Sequence, residues 1–190
     1  MPPVSVVRYS ATAIVLHWLM AALVVAGFSL GWSMVDLPFS PTRLRWYSWH
    51  KWIGVTVLGL AALRLVWRLS HAPPSLPDTV PAWQRRASTA THWLLYGLML
   101  STPVAGWLFS SAKGLPTVYL GLWQLPDLVA RDDALAAVLK AGHMVLAYGL
   151  AALVGLHVAA ALKHHFIDRD AVLARMLPFL RPRGASHGKK

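Results

Sequence analysis

The stretch from Lys140 to Leu162, KAGHMVLAYGLAALVGLHVAAAL, is apolar apart from its first residue and two histidines. At about 1.5 Å per residue it is long enough to cross a bilayer core of roughly 30 Å, so it predicts a transmembrane helix. Its two histidines, His143 and His157, are 14 residues apart. Such a spacing separates them by about 21 Å along the axis and turns both rings to within roughly 40° of one direction.

Three further apolar stretches of similar length precede this one. They cover about residues 11–35, 47–69 and 88–109, and the fourth covers about 140–162. The whole chain is 56% hydrophobic and only 13% charged, which is too apolar for a soluble domain of 190 residues. The first stretch is too long for a secretory signal and is expected to stay in the protein. The sequence therefore predicts an all-α integral membrane protein, a four-helix bundle.

The connections between the predicted spans differ in character. Residues 71–86 contain four prolines and are expected to form an exposed, extended connection. The longest loop covers residues 110–139. Its apolar part, residues 115–125, is interrupted by Pro116 and Gly121, so we expect an interfacial segment and not a fifth span.

The distribution of charge predicts the orientation. Twelve of the 18 lysines and arginines fall on the side that holds both termini, and with the aspartates included the two sides carry +9 and +2 of the total +11. Because Lys and Arg resist translocation, both termini are expected in the cytoplasm. Since the basic residues flank apolar segments, they indicate contact with membrane lipid, and nucleic-acid binding is not expected.

Histidines occur at two depths within the predicted spans. Cysteine and glutamate are absent, so histidine is the only strong metal ligand present in quantity. His17 and His157 lie near the predicted cytoplasmic ends of their helices, whereas His50 and His143 lie near the opposite ends. One pair on each side suits two centres with two axial ligands each better than it suits zinc, which normally needs three or four ligands together.

Two features of this pattern leave alternatives open. His92 lies at nearly the depth of His17 and His157; it either replaces one of them as a ligand or hydrogen-bonds a porphyrin carboxylate, the role we favour. The small residues near His143 and His157 give room for a flat macrocycle or for close helix packing, and the sequence favours neither. These small residues are Gly142, Ala147, Gly149, Ala151, Ala152 and Gly155.

Four stretches of the chain resemble the bacterial cytochrome b561 family of di-haem b-type membrane cytochromes. They are RYSATAIVLHW (8–18), HKWIG (50–54), HWLLYGLMLSTPVAGW (92–107) and HVAAALKHHFIDRDAVLARMLP (157–178). The resemblance covers about residues 6–180. It leaves residues 181–190 as a basic tail that is expected to be disordered. It implies two haem b groups, one held by His17 and His157 and the other by His50 and His143.

The resemblance also implies electron transfer and a location in the bacterial inner membrane. An iron with two histidine ligands has no open position, so substrate cannot bind the metal. The implied partners are ubiquinone or another quinone and an unidentified electron donor, superoxide being one candidate. Quinone or propionate contacts are expected from His164, His165, Arg68 and Lys163. Steering of an anionic donor is expected from Arg43, Arg45 and Lys51.

Other functions remain open at this point. One is a membrane cytochrome b subunit that anchors a hydrogenase or dehydrogenase complex. Another is a haem-free metal-binding membrane protein or transporter. The sequence also leaves monomer and homodimer as alternatives.

Overall fold

Four long helices make up most of the protein, as the computed structural model shows for residues 8–75, 80–177 and 179–180. Each is long and apolar enough to cross a membrane, which confirms the predicted all-α four-helix membrane fold. The helices are α1 (Ala11–Ser33), α2 (Pro41–Ser70), α3 (Ala82–Ala112) and α4 (Asp133–Lys163). The predicted disordered tail, residues 181–190, lies outside the described residues.

Three helices begin earlier than hydropathy predicts. Ser40 caps α2, its Oγ accepting a hydrogen bond from the Arg43 N–H at 3.2 Å, and Pro41 occupies the first turn. The carboxylate of Asp132 caps α4 by accepting from Ala134 N–H and Leu135 N–H. Hydropathy locates the apolar core of each span, whereas these polar caps set where the helix starts.

The connection between α2 and α3 is shorter than predicted. Since α3 begins at Ala82, directly after Pro81, Arg85 and Arg86 lie in its first turns and not in an extended segment. A proline immediately before a helix is compatible with helix initiation, because its missing N–H would have had no helical acceptor.

The long loop contains a β-hairpin. Strands β1 (Val118–Tyr119) and β2 (Trp123–Gln124) pair antiparallel, and Leu120 and Gly121 make the turn with positive φ angles of 53° and 73°. The indole N–H of Trp52 donates to the Val118 carbonyl at 2.6 Å. The hairpin is thereby fixed to α2, and this part of the loop is not a fifth helix.

The helices pack in chain order, α1 on α2, α2 on α3 and α3 on α4. Within the described residues, α4 does not pack closely by backbone against α1 or α2. Large apolar side chains face outward, for example Val145 (71% exposed) and Trp32 (69%), where lipid would cover them. The contacts between α4 and the α1–α2 pair are therefore made mainly by side chains, such as the rings of Trp32 and Tyr148.

A segment after α4 folds back over the end of the bundle at which α1 begins and α4 ends. This end is called the terminal end. The segment contains a π-helical turn (His164–Asp168) and a 3-10 turn (Leu173–Arg175). The indole N–H of Trp18 donates to the Met176 carbonyl at 2.9 Å, which ties this segment to α1. The opposite end, which carries the β-hairpin, is called the hairpin end.

Candidate functional site

Two histidines meet at the hairpin end. The rings of His50 on α2 and His143 on α4 have centroids 6.1 Å apart and planes at 88°. They link two helices whose backbones do not pack closely. The predicted pair at this end is thus adjacent in space.

Each of these two rings lies against the backbone of a neighbouring helix. Nδ1 of His50 is 3.0 Å from the Gly27 carbonyl oxygen on α1, and Nδ1 of His143 is 2.9 Å from the Thr102 carbonyl oxygen on α3. A carbonyl only accepts, so Nδ1 carries the proton in both rings. The lone pair of each ring is therefore on Nε2, the nitrogen left free to bind a metal.

A second cluster of histidines lies at the terminal end. The ring centroids of His17 on α1 and His157 on α4 are 6.2 Å apart, with planes at 69°. The His92 ring on α3 is 5.4 Å from that of His157. All three histidines predicted at this depth come together.

Two arginines accompany the terminal-end histidines. Arg64 interacts electrostatically with His17, His92 and His157, and its Nε donates to the Tyr96 hydroxyl at 3.2 Å. Arg68 lies over the rings of Trp93 and Tyr96, at 5.9 and 5.8 Å from their centroids. Cation–π contacts of this kind hold a guanidinium in place within an apolar environment.

The residues just after α4 form a hydrogen-bonded group at the terminal end. Nδ1 of His164 lies 2.6 Å from an Asp170 carboxylate oxygen, and Lys163 pairs with Asp168 at 2.6 Å. His164 and both aspartates line a surface cavity of about 290 Å³ together with Gln84. The His165 ring instead packs edge-on against Phe166. Of the predicted quinone contacts, His164 is the one that lines this cavity.

The basic residues predicted to steer a donor lie at the hairpin end. The Arg43 guanidinium lies 5.6 Å from the Tyr47 ring, and Arg45 is exposed. The Lys51 ammonium donates to the carbonyls of Leu115 and Pro116, both at 3.2 Å, and so holds the loop as well as carrying charge.

The paired rings fit a haem iron in both donor type and spacing. Metal–nitrogen bonds of about 2 Å place the centroids of two imidazoles on opposite sides of one metal on the order of 6 Å apart. The separations of 6.1 and 6.2 Å match this value, whereas the 5.4 Å between His92 and His157 is shorter. Histidine imidazoles are also among the ligands that proteins use for haem iron.

Histidine pairs between facing membrane-spanning helices define a class, the b-type membrane cytochromes. The sequence pattern of the prokaryotic cytochrome b561 family matches residues 8–179. The chain belongs to this family; it is a multi-pass membrane protein that binds b-type haem and transfers electrons. This membership favours haem over the haem-free transporter that the residues alone left open.

Curated relatives are similar over nearly their whole length. Cytochrome b561 homolog 2 of Escherichia coli (strain K12) is 35% identical over 174 residues, covering 90% of this chain and 91% of that protein. The probable superoxide oxidase CybB of Yersinia pestis is 32% identical over 177 residues, covering 90% and 96%. Cytochrome b561 homolog 1 of Escherichia coli (strain K12) is 32% identical over 175 residues, covering 90% and 97%.

Sequence reasoning missed several residues around the histidines. Arg64 is one of 18 lysines and arginines in the sequence, and the carbonyls of Gly27 and Thr102 have no signature of their own in a sequence. A partial signal existed in Gly31 and Gly106, because each glycine follows by one helical turn the residue whose carbonyl contacts a histidine.

Proposed function

We propose that the protein holds two haem b groups, one between His50 and His143 and one between His17 and His157, and transfers electrons from a donor at the hairpin end to a membrane quinone. The observation that carries the proposal is the recurrence of one ring separation, 6.1 and 6.2 Å, at both ends of the bundle. Each haem would supply one-electron chemistry at iron without an open coordination position. In this proposal His92 is a neighbour of the terminal-end haem and not a ligand.

Superoxide is the donor that best suits the hairpin end. The proposal is supported by the basic side chains there, Arg43, Arg45 and Lys51, which attract a small anion. It is supported as well by the Yersinia pestis relative, whose name is probable superoxide oxidase. Two superoxide ions would each lose one electron and leave as dioxygen, and one quinone would take up both electrons with two protons to form a quinol.

The cavity at the terminal end is the proposed quinone site. His164 faces a space of about 290 Å³, and its ring is hydrogen-bonded to Asp170. A histidine with a carboxylate partner can hand over a proton and recover it, as quinone reduction requires. Arg68, Lys163 and His165 remain proposed as secondary contacts or propionate partners. The hairpin end would face the periplasm of the bacterial inner membrane.

Spectroscopy of the purified protein tests the proposal. A reduced-minus-oxidised difference spectrum should show b-haem bands, and quantitation should give two haems per chain. In vesicles that contain ubiquinone, a superoxide-generating system should form one quinol for every two superoxide ions consumed. One haem per chain would contradict the paired assignment, and unchanged quinone under superoxide would contradict the donor.

A further inference from the structure

The two hairpin-end histidines rest on the same local arrangement of two different helices. The Gly27 carbonyl accepts from Nδ1 of His50, and Gly31 follows four residues later. In the same way, the Thr102 carbonyl accepts from Nδ1 of His143, and Gly106 follows four residues later. Positions four residues apart lie on the same face of a helix, one above the other. We call each combination of carbonyl and glycine a seat.

The glycine leaves room for the ring to reach the carbonyl. A Cβ on Gly31 would lie 3.0 Å from Cε1 of His50, and a Cβ on Gly106 would lie 3.0 Å from Cε1 of His143. Real Cβ atoms are rarely this close to a neighbour, so a side chain at either position would displace the ring by a few tenths of an ångström and weaken its hydrogen bond to the carbonyl. The seat therefore fixes the ring orientation and the Nδ1–H donor together.

The terminal-end pair has different surroundings. Within the described part of the chain, neither the His17 ring nor the His157 ring has a hydrogen bond to a backbone carbonyl. Both rings instead interact electrostatically with the Arg64 guanidinium, and the His17 ring also interacts with His92 and His157. One pair thus lies between partial negative charges and the other beside a full positive charge.

The carbonyls at the hairpin end would stabilise ferric iron, whereas the guanidinium at the terminal end would destabilise it. A histidine that donates Nδ1–H to a carbonyl is a more basic ligand and stabilises the more positive, oxidised state. A nearby guanidinium raises the free energy of that state by charge repulsion. We propose that the seats hold the haem between His50 and His143 at a lower midpoint potential than the haem between His17 and His157.

The direction of electron flow follows from this difference. An electron that enters at the hairpin end loses free energy on reaching the terminal end, where His164 lines the proposed quinone cavity. The inference rests on the proposed two-haem function. It adds that the gradient is built by backbone carbonyls, two glycines and Arg64.

A redox titration followed by visible absorbance tests the inference. The wild-type protein should titrate as two components, and His143→Ala should remove the lower-potential one. Gly106→Ala should raise the lower potential and leave the higher one unchanged. The control is Gly97→Ala on the same helix, where an added Cβ meets nothing within 4 Å. Gly97 is nine residues before Gly106 and therefore lies on about the opposite face of the helix.

A second variant covers the case in which Gly106→Ala loses its haem. Arg64→Gln should lower the higher potential alone, whereas Arg86→Gln, which removes an exposed charge at the same end, should change neither. Loss of the higher-potential component in His143→Ala would overturn the inference, as would equal potentials in Gly106→Ala and Gly97→Ala with both haems bound. A wild-type protein with one haem per chain would instead overturn the two-haem proposal itself.

Discussion

The proposed assignment of haem ligands rests on the geometry of single side chains. Three histidines come together at the terminal end, and sequence depth alone does not choose between them. Ring spacing supports the proposed pair, because the 6.2 Å between His17 and His157 matches the separation expected for an iron with two histidine ligands, while the 5.4 Å between His92 and His157 is shorter.

Replacement of His92 and of His17 should therefore have different consequences. His17→Leu should halve the haem content, from two per chain to one, because an axial bond is lost. His92→Leu should keep both haems. Pyridine haemochrome quantitation on equal amounts of purified protein measures the ratio, and a single haem in His92→Leu with two in His17→Leu would reverse the assignment.

Charge at the hairpin end should control the encounter with an anionic donor. The double substitution Arg43→Gln and Arg45→Gln should slow reduction by superoxide several-fold at low ionic strength, with little effect near 1 M salt, where screening acts within about 3 Å. Stopped-flow haem reduction measures the rate. Arg86→Gln at the terminal end is the matched control, and an equal slowing in that variant would contradict local steering.

The helices show how far the sequence predicts the fold at the scale of elements. The apolar cores of all four spans are readable, because a bilayer requires about twenty apolar residues whatever their identity. Helix ends are set by caps such as Ser40 and Asp132, which hydropathy does not register. The hairpin was missed because it depends on left-handed backbone at Leu120 and Gly121 and on the Trp52 hydrogen bond from a distant helix.

The cap of α4 should contribute measurably to stability. Asp132→Ala removes an acceptor that satisfies two otherwise free N–H groups, at 2.9 and 3.0 Å. Such substitutions cost about 1 kcal/mol. A thermal melt in detergent should show a lower midpoint than wild type. The control Asp36→Ala, which changes an exposed aspartate in the turn after α1, should have the wild-type melting temperature. A wild-type melting temperature for Asp132→Ala would contradict a stabilising role of the cap.

The histidine pairs meet because of the packing order of the whole molecule. The helices pack in chain order, so α4 faces α1 and α2 across a gap that side chains bridge. The sequence predicted which histidines lie at matching depths, because a rise of about 1.5 Å per residue fixes the height of each residue along its helix. It did not predict the seats, because they consist of backbone atoms whose position depends on how neighbouring helices turn towards each other.

Orientation in the membrane is the remaining property of the whole molecule, and the absence of cysteine makes it directly measurable. Single cysteines at Leu122, which is 80% exposed in the hairpin, and at Ala72, which is exposed after α2, report on the two ends. The excess of Lys and Arg at the terminal end predicts that a membrane-impermeant maleimide labels Leu122→Cys in spheroplasts, but Ala72→Cys only after lysis. The reverse pattern would place the hairpin end in the cytoplasm, and the proposed periplasmic donor would then have no access to the His50 side of the protein.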